Sequence, residues 1–270
     1  MIASVILSTR NRCFFLKQTV ASIIPQLSCD VELLIVNDCS DDDTAAYLYG
    51  VDSPWIRVFE NSQPQGLTRN LNFLMQQAKG EYIIRIDDDD LMTKDRVQRQ
   101  VDFVRQHNYD MSWCLPEFID EHNNRFSKQK NWGQQYVLEM LDSKNMITHV
   151  CTIFRRESVL SLGGYSETFI TGQDWDLWKR IKTAGLRMGM QQEYLTQVRI
   201  NRGSVTLNRL GIKDDRTYFF NLLKVCLSND DLNGAINKVR ECRRYQYIPY
   251  VVIRWMVGER RLDAIRKLRA

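Results

Sequence analysis

The sequence lacks the short motifs that mark the common nucleotide-hydrolysing, dinucleotide-binding and zinc enzymes. Its 270 residues contain no GxxxxGK phosphate loop, no GxGxxG turn and no HExxH helix, so ATPase, dehydrogenase and zincin chemistry lack their required residues. Histidine is scarce: His107, His122 and His149 form no recognisable metal triad, and His149 reads as structural. The seven cysteines are odd in number and scattered, with no CxxC pair, which fits reduced thiols. No apolar run reaches the roughly 20 residues needed to span a bilayer. The nearest, residues 247–257, is short and carries Arg254. The opening MIASVILSTRNR is interrupted by Arg10 and Arg12 and does not read as a signal peptide. There is no internal repeat or low-complexity linker. The expected location is cytoplasmic, with peripheral contact at the inner face of the membrane as an option.

What is present suits a folded core, with 44% hydrophobic and 26% charged residues. The net charge of +4 is too small to call for nucleic acid, and no nucleic-acid partner is expected. The basic excess is C-terminal: from Lys238 onward ten Lys or Arg face three acids, interleaved with Tyr245, Tyr247, Tyr250 and Trp255. Such a tract suits either an anionic membrane surface or a solvated helical face.

Apolar, β-branched runs at residues 4–8, 31–36 and 82–86 read as strands, the latter two buried on both faces. Helical spacing appears over 14–27 (Leu16, Val20, Ile23, Ile24, Leu27) and 67–78 (Leu67, Leu71, Leu74, Met75, Ala78). A short strand at 56–59 follows a helix opened by the cluster Ser40-Asp41-Asp42-Asp43. This alternation predicts an α/β fold with a parallel sheet covered by helices. From 112 to 206 the pattern is mixed, with a strand at 152–154, a turn at Gly163-Gly164 and a helix at 175–184 closed by Gly185. The expected division is a domain at 1–206, with a donor half of about 1–111 and an acceptor half of about 112–206, followed by a helical C-terminal extension at 207–270.

Ligands of such sheets bind beyond the carboxyl ends of the strands, where this sequence places Thr9, Asp38 and the run Asp87-Asp88-Asp89-Asp90. Four adjacent carboxylates repel one another, and a hard cation bridging them to a diphosphate would relieve that cost. Capping of a helix that begins near Thr93 is the alternative. Asp38 suits a turn, and Asp174, just before an amphipathic helix, suits a cap or a general base. Arg69, near a helix start, matches a phosphate or simply faces solvent.

The segments SVILSTRNR, ELLIVNDCSDDDT, NSQPQGLTRNLNFLMQQAKGEYIIRIDDDDL and FRRESVLSLGGYSETFITGQDWDLWKRIKTAG, in this order, resemble family 2 glycosyltransferases of the GT-A fold. The likeness covers roughly residues 3–206. It implies a Rossmann-like nucleotide-binding sheet flanked by helices, a nucleotide-sugar donor (a UDP-sugar first, a dTDP-sugar second), and Mn²⁺ or Mg²⁺. By that resemblance Thr9 lines the base pocket, Asp38 binds the uracil or thymine ring and Arg69 contacts base or diphosphate. The DxD motif falls on Asp87-Asp88-Asp89, with Asp87 near the ribose, Asp89 on the metal, and Asp88 or Asp90 sharing the work. Asp174 matches the catalytic base, although Gln173 stands where the family has Glu and Asn37 where it often has Asp.

An inverting displacement onto a saccharide or lipid-linked saccharide, in bacterial cell-surface polysaccharide assembly, is the function this implies. Arg202, with Gly203 and Ser204, is a candidate segment for closing over the diphosphate, or an ordinary loop. Trp175 and Trp178 either line the acceptor pocket or pack the helix. A metal-dependent nucleotidyltransferase or phosphohydrolase, and an inactive sugar-binding scaffold, are the competing readings.

Overall fold

Strands buried on both faces need helices on both sides, and the two sets of alternating side chains find them. In the computed structural model, which describes residues 1–169, 171–201, 215–231 and 233–235, strands β1 (Ala3–Thr9), β2 (Val31–Asn37), β3 (Ile56–Glu60) and β4 (Tyr82–Arg85) are parallel in the order β3-β2-β1-β4. Val5, Leu7, Leu33, Ile35, Tyr82 and Ile84 enter one core. It also takes Leu16, Val20 and Ile23 of α1 (Cys13–Ile23) and Val97, Val101 and Val104 of the later helix Arg96–His107. Their neighbours Ile6, Leu34, Val36 and Ile83 enter the opposite core. The period-2 alternation of the pleat thus selects which helix each side chain meets.

Helix α2 (Thr44–Tyr49) follows β2, and α3 (Leu67–Gln77) buries Leu71, Leu74 and Met75. The helical pattern at 14–27 is α1 followed by a single 3₁₀ turn, Ile24–Gln26, with Pro25 at its start. Proline offers no N–H to continue the α ladder. After β4 the acidic run leads into β5 (Leu91–Met92), and α4 (Arg96–His107) begins three residues later than the expected start.

The parallel arrangement ends at β4. Strand β8 (Thr152–Arg155) joins β4 antiparallel, β6 (Met111–Ile119) joins β8 antiparallel, and β9 (Met188–Arg199) and β5 complete the order. The parallel sheet expected from the first half is present, and the later strands make the whole sheet mixed. Periodicity specifies a strand but not its partner or direction. Pairing of Leu91 and Met92 with Gln197 and Thr196 anchors the chain just beyond the four aspartates, as β4 does just before them. Helices α5 (Gln134–Met140), α6 (Arg156–Ser161) and α7 (Gln173–Thr183) complete this part, and Gly185, at φ +70°, closes α7.

By internal contacts the chain divides into residues 1–116 with 131–198, described above, and a second unit of 117–130 with 199–270. In the second unit β7 (Arg125–Lys128) pairs with Glu117–Ile119, and Phe126 shares a small core with Leu222, Leu223 and Cys226 of α8 (Asp215–Ser228). The basic, aromatic C-terminal tract lies outside the described residues. Among the described residues no helix is long and apolar enough to cross a membrane.

Gly80 precedes β4 where the chain crosses β1 closely. Its N–H donates to Ser4 Oγ at 2.8 Å, and an added Cβ would stand 2.4 Å from the Ser4 backbone nitrogen. Backbone cannot step aside as a flexible side chain would. Gly80→Ala is expected to cost about 3 kcal/mol, the upper end of ordinary overpacking, measured by urea unfolding.

Candidate active site

The carboxyl ends of β1, β2 and β4 lie side by side because the three strands are parallel and in register, Thr9 opposite Asn37 and Ile6 opposite Arg85. Asp38 continues the β2 ladder by donating its N–H to Thr9 O at 2.8 Å. Its Oδ1 accepts from the Gln65 N–H (2.8 Å) and the Asn61 amide (2.7 Å), and its Oδ2 from the Gly66 N–H (2.9 Å). Burial alone would raise its pKa, but these donors hold it below the ordinary carboxylate value. Asp38 therefore fixes the loop that launches α3, where Gly66 takes φ +86°. Asn37 donates its amide to Glu60 Oε1 at 2.6 Å and accepts the Ser40 hydroxyl at 2.6 Å. An aspartate there would oppose Glu60, which accounts for the neutral residue. Arg69 is exposed, in the first turn of α3, and its Nε rests on Glu167 at 3.0 Å. Such an exposed pair is worth under about 1 kcal/mol.

The four aspartates turn to different partners, which is how they coexist. Arg85, a fully buried arginine at the end of β4, pairs with Asp87. Burial opposes ionisation of Asp87, but the Arg85 guanidinium outweighs it and holds that carboxyl below its usual value. Asp88 is buried and accepts the Thr9 hydroxyl at 2.7 Å. Burial and the adjacent Asp89 charge push it up to about 7. Asp89 pairs with Arg12 at 2.8 Å. Asp90 is buried and its carbonyl accepts the Thr19 hydroxyl at 2.8 Å.

These residues fit a divalent cation held jointly with a substrate. The donors are hard carboxylate oxygens, and burial together with the neighbouring Asp89 charge holds Asp88 up to about 7, a cost that a cation would lessen. Among the described residues no group of three His, Cys, Asp or Glu is arranged to hold a metal alone. An ion bound by one or two carboxylates and completed by phosphate oxygens does not need three protein ligands.

Asp174 is the second residue of α7, after Gly172 in the left-handed region (φ +80°). Its Oδ2 accepts the Asn145 amide at 2.9 Å. Arg85, Asp87 and Asp174 all act electrostatically on His149, which lies between the acidic run and the head of α7 in that sense. Burial and the Arg85 guanidinium push His149 down to about 4 against the pull of Asp174 and Asp87, so its ring is neutral at pH 7. His149 Nε2 and the Tyr165 hydroxyl share a 2.8 Å hydrogen bond.

Trp175 donates its indole N–H to Leu141 O at 2.6 Å, and Lys179 Nζ lies 4.6 Å from the ring centroid. Trp178 is fully buried in the core with Leu177 and Ile181, so its candidacy for the acceptor pocket is corrected to core packing. Gln173 is buried, with its carbonyl oxygen unpartnered among the described residues. Arg202 lies outside the described residues, with Gly203 and Ser204. Three residues that motif reasoning passed over sit beside the candidates: Arg12, Arg85 and Asn145. Arg85 carried a signal, a cation inside an otherwise apolar run, whereas Arg12 lies in the polar stretch STRNR. Asn145 carried none.

A parallel half-sheet continued by antiparallel strands and flanked by helices matches the GT-A fold of glycosyltransferases. Glycosyl transferase family 2 matches residues 4–163, and the chain belongs to that family. The chain is 24% identical over 220 residues to the O-antigen biosynthesis glycosyltransferase WbnJ of Escherichia coli, covering 80% of this chain and 86% of that one. It is 26% identical over 145 residues to the amylovoran biosynthesis glycosyltransferase AmsE of Erwinia amylovora, which takes in 53% of this chain and about half, 54%, of that relative. In fold it is similar to S. aureus TarS 1–349 in complex with UDP-GlcNAc, with TM-score 0.65 and 14% identity over 91% of this chain and 73% of that one. It is likewise similar to the mannosyltransferase PcManGT from Pyrobaculum calidifontis in complex with GDP-Man and Mn²⁺, with TM-score 0.59 and 17% identity over 92% and 65%.

Proposed function

We propose that this chain transfers a hexose-type sugar, with inversion, from a UDP-sugar or dTDP-sugar to a hydroxyl of a saccharide or lipid-linked saccharide, in the assembly of a bacterial cell-surface polysaccharide. The observation that carries this reading is the Asp174 carboxylate, held at the head of α7 by Asn145 and electrostatically linked through His149 to Asp87 of the acidic run. Relatives named for O-antigen and amylovoran biosynthesis support the polysaccharide context. Similar folds that hold UDP-GlcNAc, or GDP-Man with Mn²⁺, support a nucleotide-sugar donor and a divalent cation.

The Asp174 oxygen that Asn145 leaves unbound takes the proton of the acceptor hydroxyl as that oxygen attacks the anomeric carbon from the face opposite the diphosphate. One C–O bond forms, the bond to phosphate oxygen breaks, and an α-linked donor yields a β-glycoside. Asp89, with Asp88 or Asp90, would hold Mn²⁺ or Mg²⁺, which when bound neutralises charge on the leaving diphosphate. Asp38, near Thr9, serves the base, and Asp87 serves the ribose. Arg69 exchanges Glu167 for base or diphosphate, and Arg202 covers the diphosphate. The site works from the cytoplasmic side, with the C-terminal tract as its membrane contact.

Calorimetry with UDP-, dTDP- and GDP-sugars, with and without Mn²⁺, tests this. One donor is expected to bind in a metal-dependent way, and Asp89→Ala to weaken it about tenfold or more. No binding of any donor would favour the scaffold, and release of pyrophosphate or donor cleavage indifferent to acceptor the nucleotidyltransferase or phosphohydrolase. Retention at the anomeric carbon, read by NMR of the product, would overturn inversion.

A further inference from the structure

We infer that Asn145 is a positioning residue for the reaction, one that orients Asp174. This rests on the reading of Asp174 as the base. The segment between α5 and β8 that carries Asn145 is not part of any motif that suggested the function.

The geometry fixes which way the Asn145 amide points. Its carbonyl oxygen accepts the Ile147 N–H at 3.2 Å, so its NH₂ is left to face Asp174, and it donates to Oδ2 at 2.9 Å. An amide reversed end for end would break the first bond and set oxygen against carboxylate oxygen. The same segment is tied to α7 a second time by Trp175 Nε1–H to Leu141 O at 2.6 Å. On the other side of α7, Asp176 is engaged by Arg180 at 2.8 Å, so it does not compete for the amide. Two attachments, one beside the carboxylate and one at the next residue, fix the rotamer of Asp174 as well as its surroundings.

With one oxygen tied to a neutral donor, the other is presented in a set direction. The Asp174 charge acts on the neutral His149 and Tyr165, as do Arg85 and Asp87 from the end of β4.

The experiment measures release of nucleoside diphosphate by the full chain with Mn²⁺, from whichever UDP-, dTDP- or GDP-sugar the wild type turns over, with kcat and KM separated. Asn145→Ala is expected to lower kcat about 10–100-fold, as loss of a hydrogen bond to a charged group does, with donor KM unchanged. Asn145→Asp is the decisive variant. It is isosteric and retains the acceptor for Ile147, so a residue that only shapes the segment would tolerate aspartate better than alanine. A positioning residue requires the reverse order, because aspartate sets a carboxylate against Oδ2.

Aspartate equal to or better than alanine, or equal effects on kcat and KM, would overturn the proposal while leaving the base in place. Wild-type release by Asp174→Ala would overturn the base reading and this inference with it. Melting temperatures of both Asn145 variants separate misfolding from loss of function.

Discussion

Asp174→Asn is expected to lower kcat by about 10²–10⁴-fold while donor affinity stays within about twofold. Asparagine keeps the size of the side chain and an oxygen that can accept the Asn145 amide, so the head of α7 retains its attachment. What disappears is the ability to take a proton. The split is diagnostic because Asp174 contacts Asn145 and not Asp38, Asp88 or Asp89, to which the donor is assigned. Calorimetry and single-turnover transfer measured side by side check it. Loss of donor binding in proportion to loss of rate would make Asp174 a binding residue, and turnover within tenfold of wild type would send the proton elsewhere.

Trp178→Ala is expected to destabilise the protein by about 3–5 kcal/mol, equivalent to a fall of roughly 6–20 °C in melting temperature. The indole is fully buried between Leu177, Ile181 and the ring of His149, whose centroid lies 5.9 Å away. Truncation leaves a cavity that strands of the sheet cannot move to fill. Trp178→Phe should cost far less, since the indole N–H has no partner among the described residues and phenylalanine removes that uncompensated polar group along with the lost volume. Calorimetric unfolding of both variants decides between packing and a contact role. A stable Trp178→Ala that loses only acceptor binding would restore the acceptor reading.

The place of Trp178 was within reach of sequence reasoning. Gln173, Leu177, Trp178 and Ile181 are the buried positions of α7, spaced along one face, whereas Trp175 stands on the flank. Residues 112–206 were harder to read. Strands β6 and β9 alternate weakly because both faces are mostly covered, and β5 has only two residues, too short for any period to register. Their direction depends on partners far away in the chain. Asn145 could not be found at all, because an asparagine between helices looks like any turn residue until its partner is known.

The amino-acid sequence by itself determined the four parallel strands, the helices between them, and the gathering of Thr9, Asp38 and the aspartate run at one edge. Those follow from local periodicity and from right-handed crossovers, which bring every strand's carboxyl end to the same side. Only the tertiary structure decided which carboxylate oxygen meets which partner. Arg12 meets Asp89 across 77 residues, Thr9 meets Asp88 across 79, and Asn145 meets Asp174 across 29. Hydrogen bonds select by distance and angle in space, and no local pattern in the chain encodes those.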